Sequence, residues 1–386
     1  MNIVSWHPVL TDHQSYTLEA LQRVGNCSLT VYVSNTEHAV RQAQGWVNLH
    51  ASSLLLKQIP QKGWLRYVFL NLRTHQNAVH LFGSPFEQPK LIVTLLLAIV
   101  MGLRVFLISE PYSPISAGYQ DDKRQRINCF KTKLRPFLYH FYGAMLRRRI
   151  AGVFAISRLA VSQYRSIGIS VNKIIPFGYF VPNSEQQCSA VATVPTSSDF
   201  GLKLIFVGTL ISRKGLDILI EAVRNLNKMN LTVFLDVYGS GDSSQFFFDQ
   251  SIVSYCGKIP FGCAQAFIGK YDLLVLPSRY DGWGVVVNEA LMAGTPVICS
   301  NRVGAAAVVE KWKCGATFSS ENVSSLEDTL KEIVFSPSLI KKMRHAARSA
   351  ATSLEPDVAG RYMFDVISGG ANNATQIQPS CPWYEG

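Results

Sequence analysis

No two cysteines stand in a C-x-x-C spacing; the eight, at 27, 129, 188, 256, 263, 299, 314 and 381, are scattered. That argues against a zinc knuckle or a disulfide framework and leads us to expect a reducing, cytoplasmic chain. There is also no D-x-D pair of carboxylates of the kind that holds a divalent cation, so no metal is expected. No apolar run is long enough to span a bilayer uninterrupted: Leu91 to Ile108 is broken by Gly102 and Arg104. It reads as a buried helix, a turn at Gly102 and a buried strand Val105 to Ile108. Residues 1 to 5 enter an apolar strand without a basic segment or small-residue cleavage site, so a secretory signal is not expected. Charged residues make up only 16% of the chain against 48% hydrophobic, a globular rather than disordered composition.

What is present is enough chain for two domains: 386 residues exceed one comfortable core. In the second half, short apolar runs stop at turn residues: Lys203 to Val207, Thr232 to Tyr238, Asp272 to Leu276, and Pro296 to Cys299. Between them Leu216, Leu219, Ile220, Val223 and Leu226 recur at helical spacing. Alternating strand and helix predicts a doubly wound parallel sheet, whose ligands bind beyond the carboxyl ends of the strands. The first half has the same character, with strands expected at Ile3 to Ser5, Ser28 to Val33, Tyr67 to Leu70 and Ala78 to Phe82 and a helix over Thr17 to Val24. We expect domains at 1–182 and 201–355, joined by a Pro/Ser/Thr-rich linker at 183–200. A helix at 356–368 is expected to return to the first domain, and a loose tail to occupy 369–386.

Two strand ends carry the chemistry. In Tyr280 to Pro296 (YDGWGVVVNEALMAGTP) the carboxylates Asp281 and Glu289 bracket a glycine-containing helix start. At 1.5 Å rise per residue they stand roughly 12 Å apart along the axis, close to the span from sugar to ribose in a nucleotide sugar. Free N–H groups near Gly284, Val285 and Val286 suit phosphates lying between them. Gly294 closes the helix and Pro296 opens a strand. The second strand end, Phe206 to Gly215 (FVGTLISRKG), sets Arg213 and Lys214 beside a helix start, where they can clamp a diphosphate; the bland alternative is a solvated cation pair. The turn Tyr238-Gly239-Ser240-Gly241-Asp242 suits either a close ligand or a plain tight turn, and Ser278 either faces a ligand or caps its turn.

In this order, VGTLISRKG, DVYGSGD, YCGKIPF and DLLVLPSRYDGWGVVVNEALMAGTPVICSN resemble the C-terminal domain of retaining glycosyltransferases of family 4. The resemblance is strong over about 203–335 and weaker over 1–180. It implies a GT-B-type fold, two Rossmann-like domains facing a central cleft, and transfer of a sugar from a nucleotide donor to an acceptor held mainly by the first domain. In the family's E-x7-E motif, the place of Asp281 contacts the transferred sugar and that of Glu289 the ribose. On this resemblance the donor site comprises Gly208, Arg213, Lys214, Gly239, Ser278, Asp281, Gly282, Trp283, Gly284, Val285, Val286 and Glu289. The sequence departs from the family twice: Asp281 replaces the usual Glu, and Thr209 stands where many members carry Arg after Val-Gly. The phosphate cations are then Arg213 and Lys214.

The loop Ser5 to Gln14 occupies the place where members often have a glycine-rich loop, yet contains no glycine. His13 is a candidate at the sugar or acceptor hydroxyl, with Asp12 fixing its tautomer; otherwise Thr11 and Asp12 merely cap a helix. Glu110, after the strand ending at Ile108, is a candidate acceptor-orienting carboxylate. The family is thought to need no strong protein base, because the leaving phosphate takes the acceptor's proton on the same face. No nucleophile placed for covalent catalysis is evident.

The basic charge is lopsided: residues 1–190 hold twenty Lys or Arg against eight Asp or Glu, the remainder seventeen against eighteen. Residues 121–150 alone hold nine cations interleaved with Phe130, Leu134, Phe137, Leu138, Phe141, Tyr142 and Met145, as an amphipathic helix able to lie on anionic lipid or to serve as a charged core helix. No nucleic-acid reader motif is present. The function expected is transfer of a hexosyl or N-acetylhexosaminyl group, from a UDP-sugar before a GDP-sugar and without a cofactor. The acceptor expected is a polyprenyl-linked saccharide of surface polysaccharide synthesis (O-antigen, capsule or exopolysaccharide), at the cytoplasmic face of an inner membrane. The alternatives are transfer to a soluble glucan or glycoside, and a non-catalytic sugar-nucleotide-binding subunit.

Overall fold

The computed structural model describes residues 1–35, 54–113, 125–184, 201–369 and 379–384, with the side chains of 125–132 outside that set. The chain divides into two compact units. Unit 1 takes Met1–Tyr112, Arg135–Pro182 and Glu355–Gly386; unit 2 takes Ser113–Leu134 and Asn183–Leu354. Residues 185–200, most of the expected linker, lie outside the described residues.

Unit 1 is a seven-stranded sheet, paired in parallel throughout, in the order β3-β2-β1-β4-β5-β6-β7. Its strands are β1 (Asn2–His7), β2 (Ser28–Val33), β3 (Leu55–Gln58), β4 (Val79–Gly83), β5 (Arg104–Ser109), β6 (Gly152–Ile156) and β7 (Ile174–Phe177). Its helices are α1 (Asp12–Gly25), α2 (Trp64–Thr74), α3 (Pro89–Val100), the part from Arg135 on of α4 (Gln125–Leu146), and α5 (Ser157–Ser166). Val68 and Leu72 of α2, Leu91 and Leu95 of α3, Leu146 of α4 and Val161 of α5 share one core cluster with Val4, Phe82, Leu107 and Val153 of the sheet. These four helices therefore cover one face.

Three expectations need correction. Tyr67 to Leu70 is helix, not strand: Val68 and Leu72 are buried one turn apart while Leu65, Phe69 and Leu70 stay exposed, a helical and not a two-residue period. The sheet edge is taken instead by β3, whose polar residues Lys57 and Gln58 concealed it. Helix α1 begins at Asp12 rather than Thr17, because Thr11 is its N-cap and the Gln14 side chain accepts the Thr11 N–H at 3.2 Å. The stretch Leu91 to Ile108 folds as read, with the chain reversing at Gly102 at φ +72° between α3 and β5.

Unit 2 is a six-stranded parallel sheet ordered β10-β9-β8-β11-β12-β13. The strands are β8 (Leu202–Val207), β9 (Val233–Tyr238), β10 (Val253–Tyr255), β11 (Leu273–Leu276), β12 (Val297–Ser300) and β13 (Gly315–Phe318). They alternate with α6 (Leu216–Lys228), α7 (Ala264–Ile268), α8 (Val285–Met292), α9 (Ala306–Trp312), α10 (Val323–Phe335) and α11 (Pro337–Ser353). Leu216, Leu219 and Val223 of α6 and Leu326 and Leu330 of α10 close over Leu204, Leu235, Val275 and Ile298.

The chain then contributes α12 (Pro356–Gly369) to unit 1. α12 packs on α1 so closely that a side chain at Gly360 would meet the Ala20 carbonyl carbon at 2.6 Å. The tail also departs from the loose segment expected. Trp383 is fully buried among Phe177, Phe180 and Tyr362, with ring centroids 4.5 to 5.5 Å away. The Tyr384 hydroxyl accepts the Phe177 N–H at 3.0 Å and donates to the Phe177 carbonyl at 2.7 Å. Residues 370–378 and 385–386 lie outside the described set. Cys27, Cys256, Cys299, Cys314 and Cys381 are free thiols, and Cys263 is disulfide-bonded.

Candidate functional site

In unit 2, β8 and β11 are neighbours, and the loops leaving their carboxyl ends meet. The β8 loop forms a single 3-10 turn at Ser212–Lys214 and enters α6 through Gly215. Only glycine fits there: φ is +69°, and a Cβ would stand 2.1 Å from the Pro277 carbonyl oxygen. The approach is fixed from the other side by Arg279, whose N–H bonds to the Arg213 carbonyl at 2.8 Å and whose guanidinium bonds to the Ser212 carbonyl at 2.6 Å. The same guanidinium is held by Asp217 at 2.6 and 2.9 Å and by Glu321 at 3.2 Å. Sequence reasoning missed Arg279; its signal was a cation one residue after the strand-end Ser278.

This bracing places both expected cations on Asp281. Lys214 Nζ lies 2.5 Å from one carboxylate oxygen, and Arg213 Nη1 lies 4.0 Å from the other while bonding to the Tyr280 carbonyl at 2.9 Å. Burial pushes the Asp281 pKa up, but the Lys214 and Arg213 charges outweigh it and hold the group below the usual carboxylate value. Asp281 is therefore a charged, nearly buried acid engaged by the phosphate-loop cations. Ser278 lies fully buried beneath the turn, its carbonyl accepting the Ser300 hydroxyl at 2.5 Å.

After Asp281 and Gly282, the chain turns at Gly284 (φ +89°) into α8. A Cβ on Gly284 would meet Leu276 and Val303 at 3.0 Å, so the turn is packed from below. Val287 N–H bonds back to the Gly284 carbonyl at 2.9 Å, while those of Val285 and Val286 find no acceptor among the described residues. These two are open donors at the positive end of a helix. Glu289, in the second turn, is the opposite of Asp281: no hydrogen bond or ion pair reaches its carboxylate among the described residues, and burial pushes its pKa up to about 7. Two acids eight residues apart thus sit in opposite protonation environments.

Two expected donor residues also make structural contacts. Trp283 is 1% exposed, and its indole N–H bonds to Asn288 at 2.9 Å, so its side chain braces the turn. Gly239 is required because a Cβ there would stand 1.8 Å from the Gly208 carbonyl oxygen; the two loops abut, with Gly208 N–H on the Tyr238 carbonyl at 3.0 Å.

His13 and Glu110 belong to unit 1, where both gather around a residue that sequence reasoning missed, Tyr179. The His13 ring lies 4.1 Å from the Tyr179 ring, and its Nε2 lies 2.9 Å from the Thr11 hydroxyl. Glu110 and Gln14 lie beside the buried Tyr179 hydroxyl. Burial first, then the Glu110 charge, raise its pKa well above 10, so the phenol stays protonated. The one available signal for Tyr179 was its position just past a strand. Beneath this cluster, His7 is fully buried with Nε2 2.7 Å from the Ser5 hydroxyl, and burial lowers its pKa to about 4. His7 is a neutral core residue.

Residues 198–351 match the family described as glycosyl transferases group 1. A glycogen synthase of Mycobacterium tuberculosis (strain H37Rv) is 27% identical over 191 residues, 47% of this chain and 46% of that protein. The chain thus spans about half the length of the curated relatives it matches. Among solved structures, HepE of Anabaena in complex with UDP superposes over 96% of this chain and all of its own, at TM-score 0.65 and 14% identity. WaaG, a glycosyltransferase involved in lipopolysaccharide biosynthesis, covers 95% of this chain and 100% of its own at TM-score 0.60 and 16% identity. The fold is accordingly GT-B type, two Rossmann-like units of seven and six parallel strands, with the match to glycosyl transferases group 1 falling on the second.

Proposed function

We propose that the chain is a retaining glycosyltransferase of family 4 that moves a hexosyl or N-acetylhexosaminyl group from a nucleotide sugar to a polyprenyl-linked saccharide in surface polysaccharide synthesis. The observation that carries this reading is the convergence of Lys214 and Arg213 on Asp281 beside the open start of α8, within the segment matching group 1 transferases. UDP-sugars are preferred over GDP-sugars, a reading supported by the UDP complex of HepE.

In this reading the donor diphosphate draws Lys214 and Arg213 from Asp281 and takes the free N–H groups of Val285 and Val286. Glu289 accepts hydrogen bonds from the ribose hydroxyls, and Asp281 orients the transferred sugar. The bond between the anomeric carbon and the diphosphate oxygen breaks. The acceptor oxygen forms its new bond on the same face and passes its proton to the departing phosphate. Lys214 and Arg213 stabilise the charge that develops there, so no bound metal is needed. His13, Glu110 and Tyr179 in unit 1 serve the acceptor's hydroxyls. The cationic segment 121–150 rests on the anionic cytoplasmic face of a membrane, where a lipid-linked acceptor is found.

The test is incubation of the full chain with UDP- and GDP-sugars and a polyprenyl-linked saccharide, measuring released nucleotide and the anomeric configuration of the product. Inversion of configuration overturns the retaining reading, and EDTA sensitivity overturns the metal-free one. The likeness to a glycogen synthase favours a second reading, a soluble glucan acceptor; turnover on glucan but not on lipid-linked acceptor selects it. Tight nucleotide binding without turnover on either leaves a non-catalytic binding subunit.

A further inference from the structure

Unit 1 carries a second unusual surface, far in sequence from its strand-end cluster. Leu65, Phe69 and Leu70 on α2 are 51, 43 and 49% exposed, Val100 at the end of α3 is 77% exposed, and Phe137 and Phe141 on α4 are 74 and 66% exposed. Single exposed apolar residues mean little, but these lie on helices that adjoin. Helices α2 and α3 pack together, and Phe86, in the turn before α3, stacks on Tyr142 of α4 at 4.4 Å. All three helices cover the same face of the sheet, so their exposed sides form its outer layer. Helix α3 joins the two flanks with an apolar run: from Leu91 to Val100 its one polar residue is Thr94.

Charge identifies what this layer meets. Residues 54–113 and 125–184 contain two acids, Glu87 and Glu110, while Lys62, Arg66, Arg73, Arg147, Arg148 and Arg149 are exposed cations around the apolar helices. A second copy of the chain would bring these cations against one another with few carboxylates to receive them. An anionic lipid surface supplies both the countercharge and the apolar depth. At 12 residues α3 is roughly 18 Å long, short of the about 30 Å of a bilayer core, and no helix among the described residues is long and apolar enough to cross.

We propose that the outer faces of α2 and α3 join α4 in resting on an anionic bilayer, so that unit 1 meets the membrane through three helices rather than through residues 121–150 alone. This extends the membrane contact proposed above, and its test separates the two. Full-length wild type, the triple variant Leu65→Gln/Phe69→Gln/Leu70→Gln and the double variant Phe137→Gln/Phe141→Gln are floated with phosphatidylglycerol–phosphatidylcholine vesicles and with pure phosphatidylcholine vesicles.

Wild type floats with the anionic vesicles, and the α2 triple variant loses on the order of tenfold or more in vesicle affinity. Its thermal unfolding and UDP-induced thermal shift stay unchanged, since all three positions are exposed. Arg66→Gln/Arg73→Gln loses roughly fivefold per charge at low salt and less at high salt. The inference is overturned if wild type fails to float, or if only the α4 variant loses binding; the latter outcome leaves the contact of 121–150 standing. It is also overturned if wild type sediments as a dimer that the α2 variant converts to monomer, which makes the layer a self-association face. Failure of sugar transfer with vesicle binding intact counts against the proposed activity and not against this surface.

Discussion

The carboxyl ends of the two sheets are built on different plans. In unit 2 the polar groups come from two short segments, 208–215 and 277–289, locked together by Gly215 and Arg279, and the result is an ionic cluster of Lys214, Arg213 and Asp281. In unit 1 they come from three places, His13 and Gln14 on α1, Glu110 after β5 and Tyr179 after β7, and the result is a cluster gathered around a neutral phenol. Charge concentrated at a braced loop suits a diphosphate. A neutral group that can both donate and accept suits hydroxyls. Even the bracing differs: unit 2 closes on itself, whereas unit 1 depends on α12 and on Trp383 and Tyr384 from the end of the chain.

The largest expected effect breaks the units apart. Trp383→Ala empties a fully buried site among three aromatic rings, a change that typically costs about 3–5 kcal/mol. Calorimetry should show the unit 1 transition falling while the UDP-stabilised unit 2 transition stays in place. A joint fall of both transitions would mean that the units do not stand alone. Next comes Lys214→Ala, expected to lower kcat by on the order of 10²–10³-fold by removing charge stabilisation from the leaving phosphate. It also strips Asp281 of its 2.5 Å partner, so burial then raises the Asp281 pKa. Wild-type nucleotide release in this variant would remove Lys214 from the reaction.

A smaller effect separates the two acids of unit 2. Folded Glu289 keeps its proton to about pH 7, whereas its ordinary pKa is 4.5. The folded chain therefore binds the extra proton between those values, and stability contributed through this group falls as pH rises from about 4.5 to about 7. Glu289→Gln removes that slope, and relative to wild type the variant should gain on the order of 1–3 kcal/mol by pH 8. UDP affinity should move the other way: the ionised acid accepts hydroxyls better, so wild-type affinity rises through pH 7 and that of the variant stays flat. Parallel stability curves for the two proteins, measured by denaturant titration at each pH, would show that Glu289 titrates normally.

The difference between the units also explains what the sequence made legible. Strands β8, β9, β11 and β12 are mostly apolar runs ending at turn residues, interrupted by Lys203 and Asp236, and the polar motifs follow within a few positions, so β-α periodicity set Arg213, Lys214 and Asp281 beyond strand ends. Trp283 and Gly239 were harder. Sequence sees an aromatic or a glycine at a strand end, but whether it faces a ligand or a neighbouring loop is decided by contacts such as Trp283 on Asn288. In unit 1 the signal is long-range: Tyr179 matters because β7 ends beside β6 and α1, which no local window records. Tyr67 to Leu70 misled because its β-prone residues sit on a helix with a bare apolar outer face. The tail misled because its composition is loop-like, while burial of Trp383 depends on partners near 180 and 362.

The finest test of the comparison is Tyr179→Phe. It keeps the ring that packs on His13 and deletes the hydroxyl beside Glu110 and Gln14. Glu110 is exposed, so water replaces the phenol there, whereas Gln14 is buried, and the expected cost is about 0.5–1.5 kcal/mol. If unit 1 orients acceptor hydroxyls through this cluster, the acceptor KM rises several-fold while kcat and UDP affinity hold, because the donor cluster lies in unit 2. Glu110→Gln should reproduce the KM effect with a smaller loss of stability, since position 110 is exposed. An unchanged acceptor KM in both variants would reduce the cluster to a device for holding α1 against β7, and the contrast between an ionic and a neutral strand end would then carry no division of labour.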